Sequence, residues 1–331
     1  MVWRDSTVLI TGGTGSFGKA FAKLLLAEHN PRKVIIYSRD ELKQHEMSHG
    51  PGFDDPRIRY FIGDVRDRER LYRATDGVDI IVHAAAMKQV PACEYNPLEA
   101  VKTNIDGAKN IIDVAIDNGV KRVVALSTDK AVNPVNLYGA TKLVAEKLFV
   151  QGNSYASGGG TKFSCTRYGN VVGSRGSVIP LFLQQRAEGE LTITDERMTR
   201  FWLTLDRGAR FVIECGGRMQ GGEVFVPKIP SMRLVDLAEA VAPGCKRRVV
   251  GIRPGEKLHE MLVSSDESYH TCEHEDMYVI EPVMPWWRNE LPQQGKPMEP
   301  GSKFSSDENS EWLSVESLRQ IIEVNRTIDA E

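Results

Sequence analysis

Short runs of apolar residues recur along the first half of the chain, and between several of them apolar residues return every three or four positions. The runs predict buried parallel strands, because a strand covered on both faces is apolar throughout, and the periodic segments predict helices. The predicted strands are Thr7–Thr11, Lys33–Tyr37, Arg57–Ile62, Asp79–His83, Arg122–Leu126 and Lys162–Tyr168, and the predicted helices are Ser16–Glu28, Pro97–Asn118 and Tyr138–Val150. This alternation predicts an α/β fold with a doubly wound parallel sheet.

The regular alternation ends after Asn170, where segments rich in glycine, proline and arginine begin. The change predicts a Rossmann-type dinucleotide-binding domain over residues 1–170 and a smaller, less regular substrate-binding region over residues 171–331. Within that region Phe201–Cys215 is again apolar, so residues 201–226 are a candidate for return to the first domain.

Composition excludes several classes of function. Apolar residues make up 41% and charged residues 26% of the chain, as in ordinary globular proteins, and the net charge of -3 gives no electrostatic reason to bind nucleic acid or an anionic membrane. No apolar run reaches the ~18 residues of a membrane span, and Met1 leads directly into the first strand without a secretory signal. The scattered cysteines, without a CxxC pair, indicate reduced thiols and a cytoplasmic location.

A weak cluster of metal-ligand residue types lies at His270, Cys272 and His274. It lacks a complementary ligand pair nearby, so we interpret it as a polar surface loop and predict no metal site.

A glycine-rich turn follows the first predicted strand and opens the first predicted helix. Glycines in this position permit a tight turn and a close approach of backbone N–H groups to a pyrophosphate at the helix N-terminus. The strand before and the helix after it supply the context that a dinucleotide-binding motif requires. The residues of this turn expected to contact the cofactor are Gly12, Thr14, Gly15, Ser16, Phe17 and Gly18.

The residues after the second strand bear on the choice between NAD and NADP. Arg39 lies 21 positions after Gly18, and with Ser38 and Lys43 it favours NADP, whose 2′-phosphate needs positive charge. Asp40 leaves NAD open, because an acid in this region can bind a ribose diol. The other predicted cofactor contacts in and after the second and third strands are Glu41, Leu42, Asp64 and Val65.

Tyr138 and Lys142 are four positions apart on a predicted helix and therefore share one face. The ammonium favours the phenolate, which makes Tyr138 a candidate general base for a secondary alcohol. Thr128, Asp129 and Lys130 precede this helix, and the Asp129–Lys130 pair indicates an acid and a second base at the same site. More than a plain alcohol oxidation is therefore expected.

The glycine turn and the Tyr138/Lys142 pair resemble the extended short-chain dehydrogenase/reductase superfamily. Residues 127–130, with lysine where related dehydratases carry glutamate, narrow the resemblance to the inverting UDP-N-acetylglucosamine 4,6-dehydratases of pseudaminic acid biosynthesis, a pathway linked to flagellin glycosylation. The segments that carry this resemblance are residues 37–43, 136–142, 167–175 and 251–257, within a match that is close over Thr7–Val263.

The resemblance implies a lyase that uses a tightly bound, recycled NADP. Tyr138 takes the proton of the sugar 4-hydroxyl while hydride leaves C4, and the 4-ketone then acidifies the hydrogen at C5. Lys130 must be neutral to remove that hydrogen, so its pKa is expected to lie well below the ordinary value, and the pKa of Asp129, the acid for the C6 hydroxyl, to lie above it. Hydride returns to C6 and C5 inverts.

The resemblance also implies substrate contacts, with Asn170, Arg200 and Arg253 near the UDP moiety. Lys88, after the fourth strand, is expected to reach the cofactor or the sugar, and Arg175 and Arg197 are weaker candidates for the diphosphate. Further expected contacts are Leu126, Ser127, Thr128 and Thr194 with the substrate and Ala84 and Val171 with the cofactor. Phe304 stands where the family pattern has a tyrosine, which puts tail contacts to the nucleotide in doubt.

Family members form dimers or hexamers, so a homo-oligomer is expected. The alternative enzymes are a retaining 4,6-dehydratase or a UDP-sugar 4-epimerase, and the alternative from another class is a non-enzymatic dinucleotide sensor. An epimerase needs Tyr138 but neither an acid for C6 nor a base for C5, so the Asp129–Lys130 pair weighs against it. A sensor would typically have lost the Tyr138/Lys142 pair, which this chain keeps.

Overall fold

The computed structural model describes residues 2–156, 160–172, 178–283 and 295–330. Its helices are α1 (Ser16–Glu28), α2 (Glu41–Ser48), α3 (Arg68–Ala74), α4 (Val90–Tyr95), α5 (Pro97–Val101), α6 (Gly107–Asp117), α7 (Leu137–Gly152), α8 (Val178–Arg186), α9 (Leu205–Arg218), α10 (Leu234–Val241) and α11 (Val315–Ala330). Among these described residues no helix combines the length and the apolar character that crossing a membrane requires.

Most of the strands join one large sheet. The strands are β1 (Thr7–Thr11), β2 (Lys33–Ser38), β3 (Ile58–Ile62), β4 (Ile80–His83), β5 (Arg122–Thr128), β6 (Lys162–Tyr168), β7 (Asn170–Val171), β8 (Glu190–Ile193), β9 (Thr199–Leu203), β10 (Val224–Pro227), β11 (Ser231–Arg233), β12 (Lys246–Val249), β13 (Met261–Val263), β14 (Thr271–Glu273), β15 (Met277–Ile280), β16 (Lys296–Pro297) and β17 (Phe304–Ser305). The large sheet runs in the order β16-β14-β15-β10-β6-β5-β4-β1-β2-β3.

Within this sheet, neighbouring strands pair in parallel from β3 through β2, β1, β4, β5 and β6 to β10. The order 3-2-1-4-5-6 confirms the predicted doubly wound sheet. Every residue of β1 and of β4 is buried, which explains why these strands are apolar throughout. In such a sheet the chain crosses from one face to the other beyond the carboxyl ends of β1 and β4, and ligands bind there.

The chain returns to this sheet after β9. Helix α9 packs against α1, and β10 pairs in parallel with β6, its Val224 opposite Cys165. Strands β15, β14 and β16 then extend the sheet in antiparallel fashion. Residues 171–331 are therefore divided between the large sheet and a second apolar core around Phe182, Trp202 and Leu237.

The predicted long helix over Pro97–Asn118 is helical from Pro97 to Asp117, but a π-helical turn at Lys102–Asp106 interrupts its regular repeat between α5 and α6. The turn directs Asn104 inward, where its amide accepts a hydrogen bond from the Met87 backbone at 2.8 Å. The same side chain donates to the Met87 carbonyl at 3.0 Å and to the Thr141 hydroxyl at 2.9 Å. The π turn thus ties the loop after β4 to α7.

A buried ion cluster ties the two regions together. The guanidinium of Arg167 on β6 donates to Glu146 of α7 at 3.1 Å and to Glu267, after β13, at 2.8 and 2.9 Å. It also donates to the Leu262 carbonyl at 2.8 Å. Glu146 accepts a further bond of 2.7 Å from Ser127, the residue before Thr128. Because Arg167 is 0% exposed, these partners offset the desolvation of its charge.

We expect Arg167→Ala to lower the free energy of unfolding by about 3–5 kcal/mol, because it leaves two carboxylates without their shared cation in the interior. Denaturant titration followed by circular dichroism measures the loss. Arg210→Ala is the matched control, because Arg210 makes ion pairs with Glu28 and Asp206 at the surface, where water screens them. Equal effects of the two substitutions would contradict a structural role for the buried cluster.

Candidate active site

A cavity of about 1180 Å³ lies over the carboxyl ends of β1, β2, β4 and β5 and reaches the second core. Its volume exceeds the ~1,000 Å³ upper range of ordinary ligand pockets, so it has room for two ligands side by side. The predicted residues that line it are Gly12, Thr14, Gly15, Ser16, Phe17, Gly18, Ser38, Arg39, Asp40, Lys43, Asp64, Val65, Ala84, Lys88, Leu126, Ser127, Thr128, Asp129, Lys130, Tyr138, Lys142, Asn170, Val171, Thr194, Arg200 and Arg253.

Two predicted cofactor contacts are not brought into this cavity. Glu41 and Leu42 are absent from its lining, and the Leu42 side chain, 64% exposed, extends from α2 into solvent. Helical geometry explains this, because successive residues of α2 point in different directions and only one side of the helix faces the ligand cavity. Arg175 lies outside the described residues.

The glycine turn fits a pyrophosphate. Gly12 has φ +65°, and a Cβ on it would lie 2.9 Å from the Ala85 nitrogen, so no other residue fits without movement. Helix α1 begins after Gly15 without a side-chain cap and without an acidic residue in its first turn. Its first N–H groups and the positive end of its dipole are therefore open to an anion in the cavity.

The end of β2 presents a hydroxyl and two cations. Ser38 shares a hydrogen bond of 2.9 Å with Thr14. Asp40 caps α2 by accepting from the Lys43 backbone at 3.0 Å, and its carboxylate pairs with the Lys43 amine at 2.6 Å. Arg39 is 63% exposed and lies 3.8 Å from Asp64. The Asp40 carboxylate is thus committed to the protein, whereas Arg39 is accessible to a ligand.

Tyr138 is a protonated phenol in this structure. Burial raises its pKa to about 12, although the Lys130 ammonium and a hydrogen bond with Thr128 act in the opposite direction. Burial lowers the pKa of Lys142, which lies one turn along α7. In the cofactor-free site the cation that favours the Tyr138 phenolate is Lys130, and ionisation of Tyr138 with the cofactor bound stays a prediction.

Asp129 and Lys130 lie on one turn of 3-10 helix after β5 and both face the cavity. The Lys130 amine donates to Asp129 Oδ1 at 3.1 Å, and Thr128 donates to the same oxygen at 2.9 Å. Asp129 is fully buried, and its Oδ2 has no hydrogen-bond partner. An unpaired carboxylate oxygen at the cavity wall is available to a ligand hydroxyl.

The predicted lowering of the Lys130 pKa is wrong in this structure. Burial acts to lower the pKa, but the carboxylates of Asp129 and Glu260 outweigh it and raise the pKa above the ordinary value. Glu260 Oε1 lies 3.4 Å from the Lys130 amine, and the Glu260 side chain is 3% exposed. Lys130 is therefore an ammonium held between two acids.

The predicted diphosphate ligands differ in what their guanidinium groups already bind. Arg200 donates to the carbonyls of Thr199, Lys257 and Leu258 at 2.7–3.1 Å, so a diphosphate would compete with these bonds. Arg253 is 58% exposed, and its ion-pair contact, Glu256, lies 3.9 Å away. Arg253 is thus the more available of the two.

Arg197, a weaker candidate, and Phe304, which departs from the family pattern, have structural roles. Arg197 binds Asp195 through two bonds of 2.8 and 3.0 Å at the surface. Phe304 is 8% exposed and packs against Phe201 and Tyr278 at ring distances of 4.8 and 5.1 Å. Phe304 is therefore a core residue and does not line the cavity.

The sequence interpretation missed Glu260 and an apolar wall. Glu260 lies four positions after Glu256, just beyond the motif that ends at Lys257. A second acid so close to that motif was the sequence signal that could have identified Glu260 as a site residue. The wall includes Phe182, Met198 and Met232, whose positions follow only from the folding of the second core over the sheet.

The His270, Cys272 and His274 cluster is divided by the fold. Cys272 is buried in β14, and its thiol contacts Glu281 at 3.7 Å. Within the part of the chain that the structure describes, no group of three or more His, Cys, Asp or Glu side chains is arranged to hold a metal ion.

Comparison with known proteins gives a consistent set of relatives. A family model described as polysaccharide biosynthesis protein matches residues 8–282. A UDP-N-acetylglucosamine 4,6-dehydratase (inverting) from Campylobacter jejuni subsp. jejuni serotype O:2 is 54% identical over 97% of this chain and 98% of its own. A UDP-glucose 4-epimerase from Rickettsia massiliae is 43% identical over 83% of this chain and 83% of its own.

Solved structures confirm the predicted fold class. Pen from Bacillus thuringiensis has a TM-score of 0.88 and 39% identity, covering 98% of this chain and 100% of its own. DesIV, a dTDP-glucose 4,6-dehydratase from Streptomyces venezuelae solved with NAD bound, has a TM-score of 0.67 and 25% identity, covering 76% of this chain and 86% of its own.

The histidine at the end of β4 makes stability depend on pH. His83 is 1% exposed, its ring shares a 2.8 Å hydrogen bond with Thr11, and burial lowers its pKa to about 3. An unfolded histidine titrates near 6.5, so between these values the unfolded chain binds the additional proton. This contribution to stability is complete above pH ~6.5 and is lost as the pH falls towards ~3.

We expect His83→Gln to make the loss of unfolding free energy between pH 6 and pH 4 shallower by about 1 kcal/mol per pH unit. Urea titrations at several pH values measure the slope. His45→Gln, which removes an exposed imidazole, is the control and should retain the wild-type slope. A wild-type slope in His83→Gln would contradict the neutral, buried state of this ring.

Proposed function

Because the chain belongs to the polysaccharide biosynthesis protein family, among the inverting UDP-N-acetylglucosamine 4,6-dehydratases, we propose that it removes water from UDP-N-acetylglucosamine. The product is UDP-2-acetamido-2,6-dideoxy-β-L-arabino-hex-4-ulose, formed with inversion at C5 and no net redox change. The observation that carries this proposal is the pair of a buried Asp129 and a partly exposed Lys130, which faces the same cavity as Tyr138 and the glycine turn.

A dinucleotide fits the residues present. The open N-terminus of α1 suits its pyrophosphate, and Gly12 leaves room for the close approach. We assign the cofactor as a tightly held NADP, because Arg39 is accessible at the end of β2 while Asp40 is committed to Lys43 and to the α2 cap. Held there, the cofactor would supply reversible hydride transfer to the sugar, and its oxidised form would favour the Tyr138 phenolate.

Tyr138 takes the proton of the 4-hydroxyl. The Lys130 ammonium favours this ionisation from within the protein.

Asp129 and Lys130 supply the acid and the base by sharing one proton. Movement of a proton along the 3.1 Å bond from the Lys130 amine to Asp129 Oδ1 converts an ion pair into a neutral amine and a carboxylic acid. The amine then takes the C5 proton, and the electron pair of the C–H bond enters the enolate of the 4-ketone. The C6–O bond breaks, and the hydroxyl leaves as water with the proton of Asp129. For this exchange within the pair, no loss of a proton to solvent is needed.

Inversion and substrate binding complete the proposal. A proton from solvent adds to C5 on the face opposite to Lys130 and gives the L-arabino product, and Tyr138 returns the proton of the 4-hydroxyl to solvent. Arg253 is the best placed of the predicted residues for the diphosphate, because its guanidinium is exposed. Asn170, whose buried Oδ1 has no hydrogen-bond partner, offers an acceptor to the nucleotide sugar.

The cellular setting follows from the same assignment. We propose a homo-oligomer, either a dimer or a hexamer, that opens pseudaminic acid biosynthesis in the cytoplasm. The free thiols Cys93, Cys165, Cys215 and Cys272 are all buried, which is compatible with a reducing compartment.

A UDP-sugar 4-epimerase is the competing function, favoured by the 43% identity to the Rickettsia massiliae protein. Epimerisation needs Tyr138 and the cofactor but neither an acid for C6 nor a base for C5. The burial of Asp129 beside Lys130 favours dehydration, because placing two charged groups in the interior is costly without a task or a structural gain.

We expect the protein to convert UDP-N-acetylglucosamine in D2O to a 6-deoxy-4-keto sugar with one deuterium at C5 and the L-arabino configuration, read by proton NMR. A substrate deuterated at C4 should carry that label to C6. Lys130→Ala should lower turnover by at least ~100-fold, the usual loss of a general base, while C4 oxidation still produces reduced-nicotinamide absorbance.

Lys121→Ala is the control for Lys130→Ala, because Lys121 is 74% exposed and pairs with Asp79 away from the cavity. A product with the D-xylo configuration would indicate a retaining dehydratase, and a C4 epimer without loss of water would indicate an epimerase. Unchanged turnover of Lys130→Ala would remove Lys130 from the mechanism.

We expect Arg39→Ala to weaken NADP binding by about 10- to 100-fold, the cost of losing a charged hydrogen bond, with little effect on NAD. Calorimetric titration of cofactor-stripped protein with each dinucleotide measures both constants. Arg59→Ala on β3, outside the cavity lining, is the control. An equal loss of affinity for NAD and NADP would contradict the assignment of NADP.

A further inference from the structure

Glu260 is a buried carboxylate whose position is fixed by the backbone around it. Its side chain is 3% exposed. Its N–H donates to the Ser306 hydroxyl at 2.9 Å, and the Ser306 N–H donates to its carbonyl at 2.8 Å. These bonds fix the backbone of Glu260 between the β13 and β17 segments, and the side chain lines the cavity.

The carboxylate of Glu260 has three cationic neighbours at unequal distances. Lys130 is the nearest, at 3.4 Å from Oε1, and Arg200 Nε lies 3.9 Å from the same oxygen. Lys257 lies 3.8 Å from Oε2, which accepts no hydrogen bond and is buried. Arg200 directs its terminal nitrogens to backbone carbonyls, so the Lys130 ammonium is the main charge that Glu260 stabilises.

The proposed dehydration needs the Asp129–Lys130 pair to hold one proton at the start of each turnover. With that proton the pair can become a neutral amine and a carboxylic acid. Without it Asp129 is an anion and has nothing to give to the C6 hydroxyl. A further negative charge beside the pair favours retention of that proton whichever of the two groups carries it, because it opposes deprotonation of the pair as a whole.

Resting on the proposed function, we propose that Glu260 is a positioning residue whose carboxylate keeps this single proton on the Asp129–Lys130 pair. Its Oε1 lies 3.4 Å from the Lys130 amine, beside the 3.1 Å bond along which the proton moves to Asp129. After the amine has taken the C5 proton, the same carboxylate faces the ammonium that results. Lys130 is thus never left as an unpaired cation during the reaction.

The charged groups around Lys130 indicate how loss of the Glu260 charge would change the protonation of its amine. The titratable and charged groups that face its amine are Asp129, Glu260, Arg200, Tyr138 and Lys257. Removal of the Glu260 charge leaves one carboxylate among three cations. The amine should then lose its proton at a lower pH, and the rate of dehydration should begin to fall at a lower alkaline pH.

We expect Glu260→Gln to move the alkaline limb of the kcat profile to lower pH by roughly one unit or more, since a charge at this distance interacts strongly even at an effective dielectric constant of about 20. Below that limb kcat should stay within severalfold of wild type. Glu260→Asp should return the limb part of the way, because it restores the charge at a greater distance. A role confined to folding would lower the active fraction at every pH without moving the limb.

Glu256→Gln is the matched control. Glu256 has a buried, unpartnered Oε2 and lines the same cavity, but its ion-pair contact is Arg253 at 3.9 Å, so its substitution should leave the limb in place. An equal shift in both variants would overturn the specific role of Glu260, and so would an unmoved limb in Glu260→Gln.

A second readout does not depend on turnover. The rate at which acetic anhydride acylates Lys130, followed by peptide mass spectrometry, reports how much of the amine is neutral. At a fixed alkaline pH the rate should rise several-fold in Glu260→Gln and stay unchanged in Glu256→Gln. Wild-type protein that produces no 6-deoxy-4-keto sugar would defeat the proposed function, whereas normal dehydration with unchanged acylation in Glu260→Gln would defeat this inference alone.

Discussion

The architecture depends on one buried guanidinium. The side chain of Arg167, which lies on β6 of the central sheet, binds Glu146 on α7. It also binds Glu267 near β13 and the carbonyl of Leu262. Each contact belongs to a different part of the chain, so a single charge fixes three segments relative to one another. The cavity lies between these segments, and its shape therefore follows from an interaction that lies behind its wall.

The same network extends to the chemistry. Glu146 accepts the Ser127 hydroxyl at 2.7 Å, and Ser127 precedes the Thr128–Asp129–Lys130 turn on the extended end of β5. From the other side, Glu260 is held next to β13, which Arg167 also contacts through Leu262. The proposed acid, base and counter-charge thus lie on elements joined by the buried cluster, and a fixed arrangement suits groups proposed to exchange one proton.

Much of the fold could be predicted from the sequence because buried parallel strands are apolar throughout and the glycine turn has a fixed place after the first of them. The motif residues converge because carboxyl ends of parallel strands meet at one edge, so Gly12, Asp129 and Tyr138 were expected together. The charge of Lys130 was not predictable in this way. It depends on Glu260, which is remote in sequence and arrives only when the second region folds over the sheet. Likewise the commitment of Arg200 to backbone carbonyls is a property of tertiary contacts and leaves no local pattern.

The π-helical turn at Lys102–Asp106 amounts to one additional residue in what would otherwise be a continuous helix. Shortening this stretch by a single residue would restore the ordinary helical repeat and rotate the preceding segment by about 100° relative to α6. Asn104 would then no longer reach Met87 and Thr141, and the loop after β4 would lose its tether to the catalytic helix. The number of residues at this point is therefore as constrained as their identity. In an alignment of this region, a one-residue gap indicates a changed position of the loop after β4 and is not a neutral deletion.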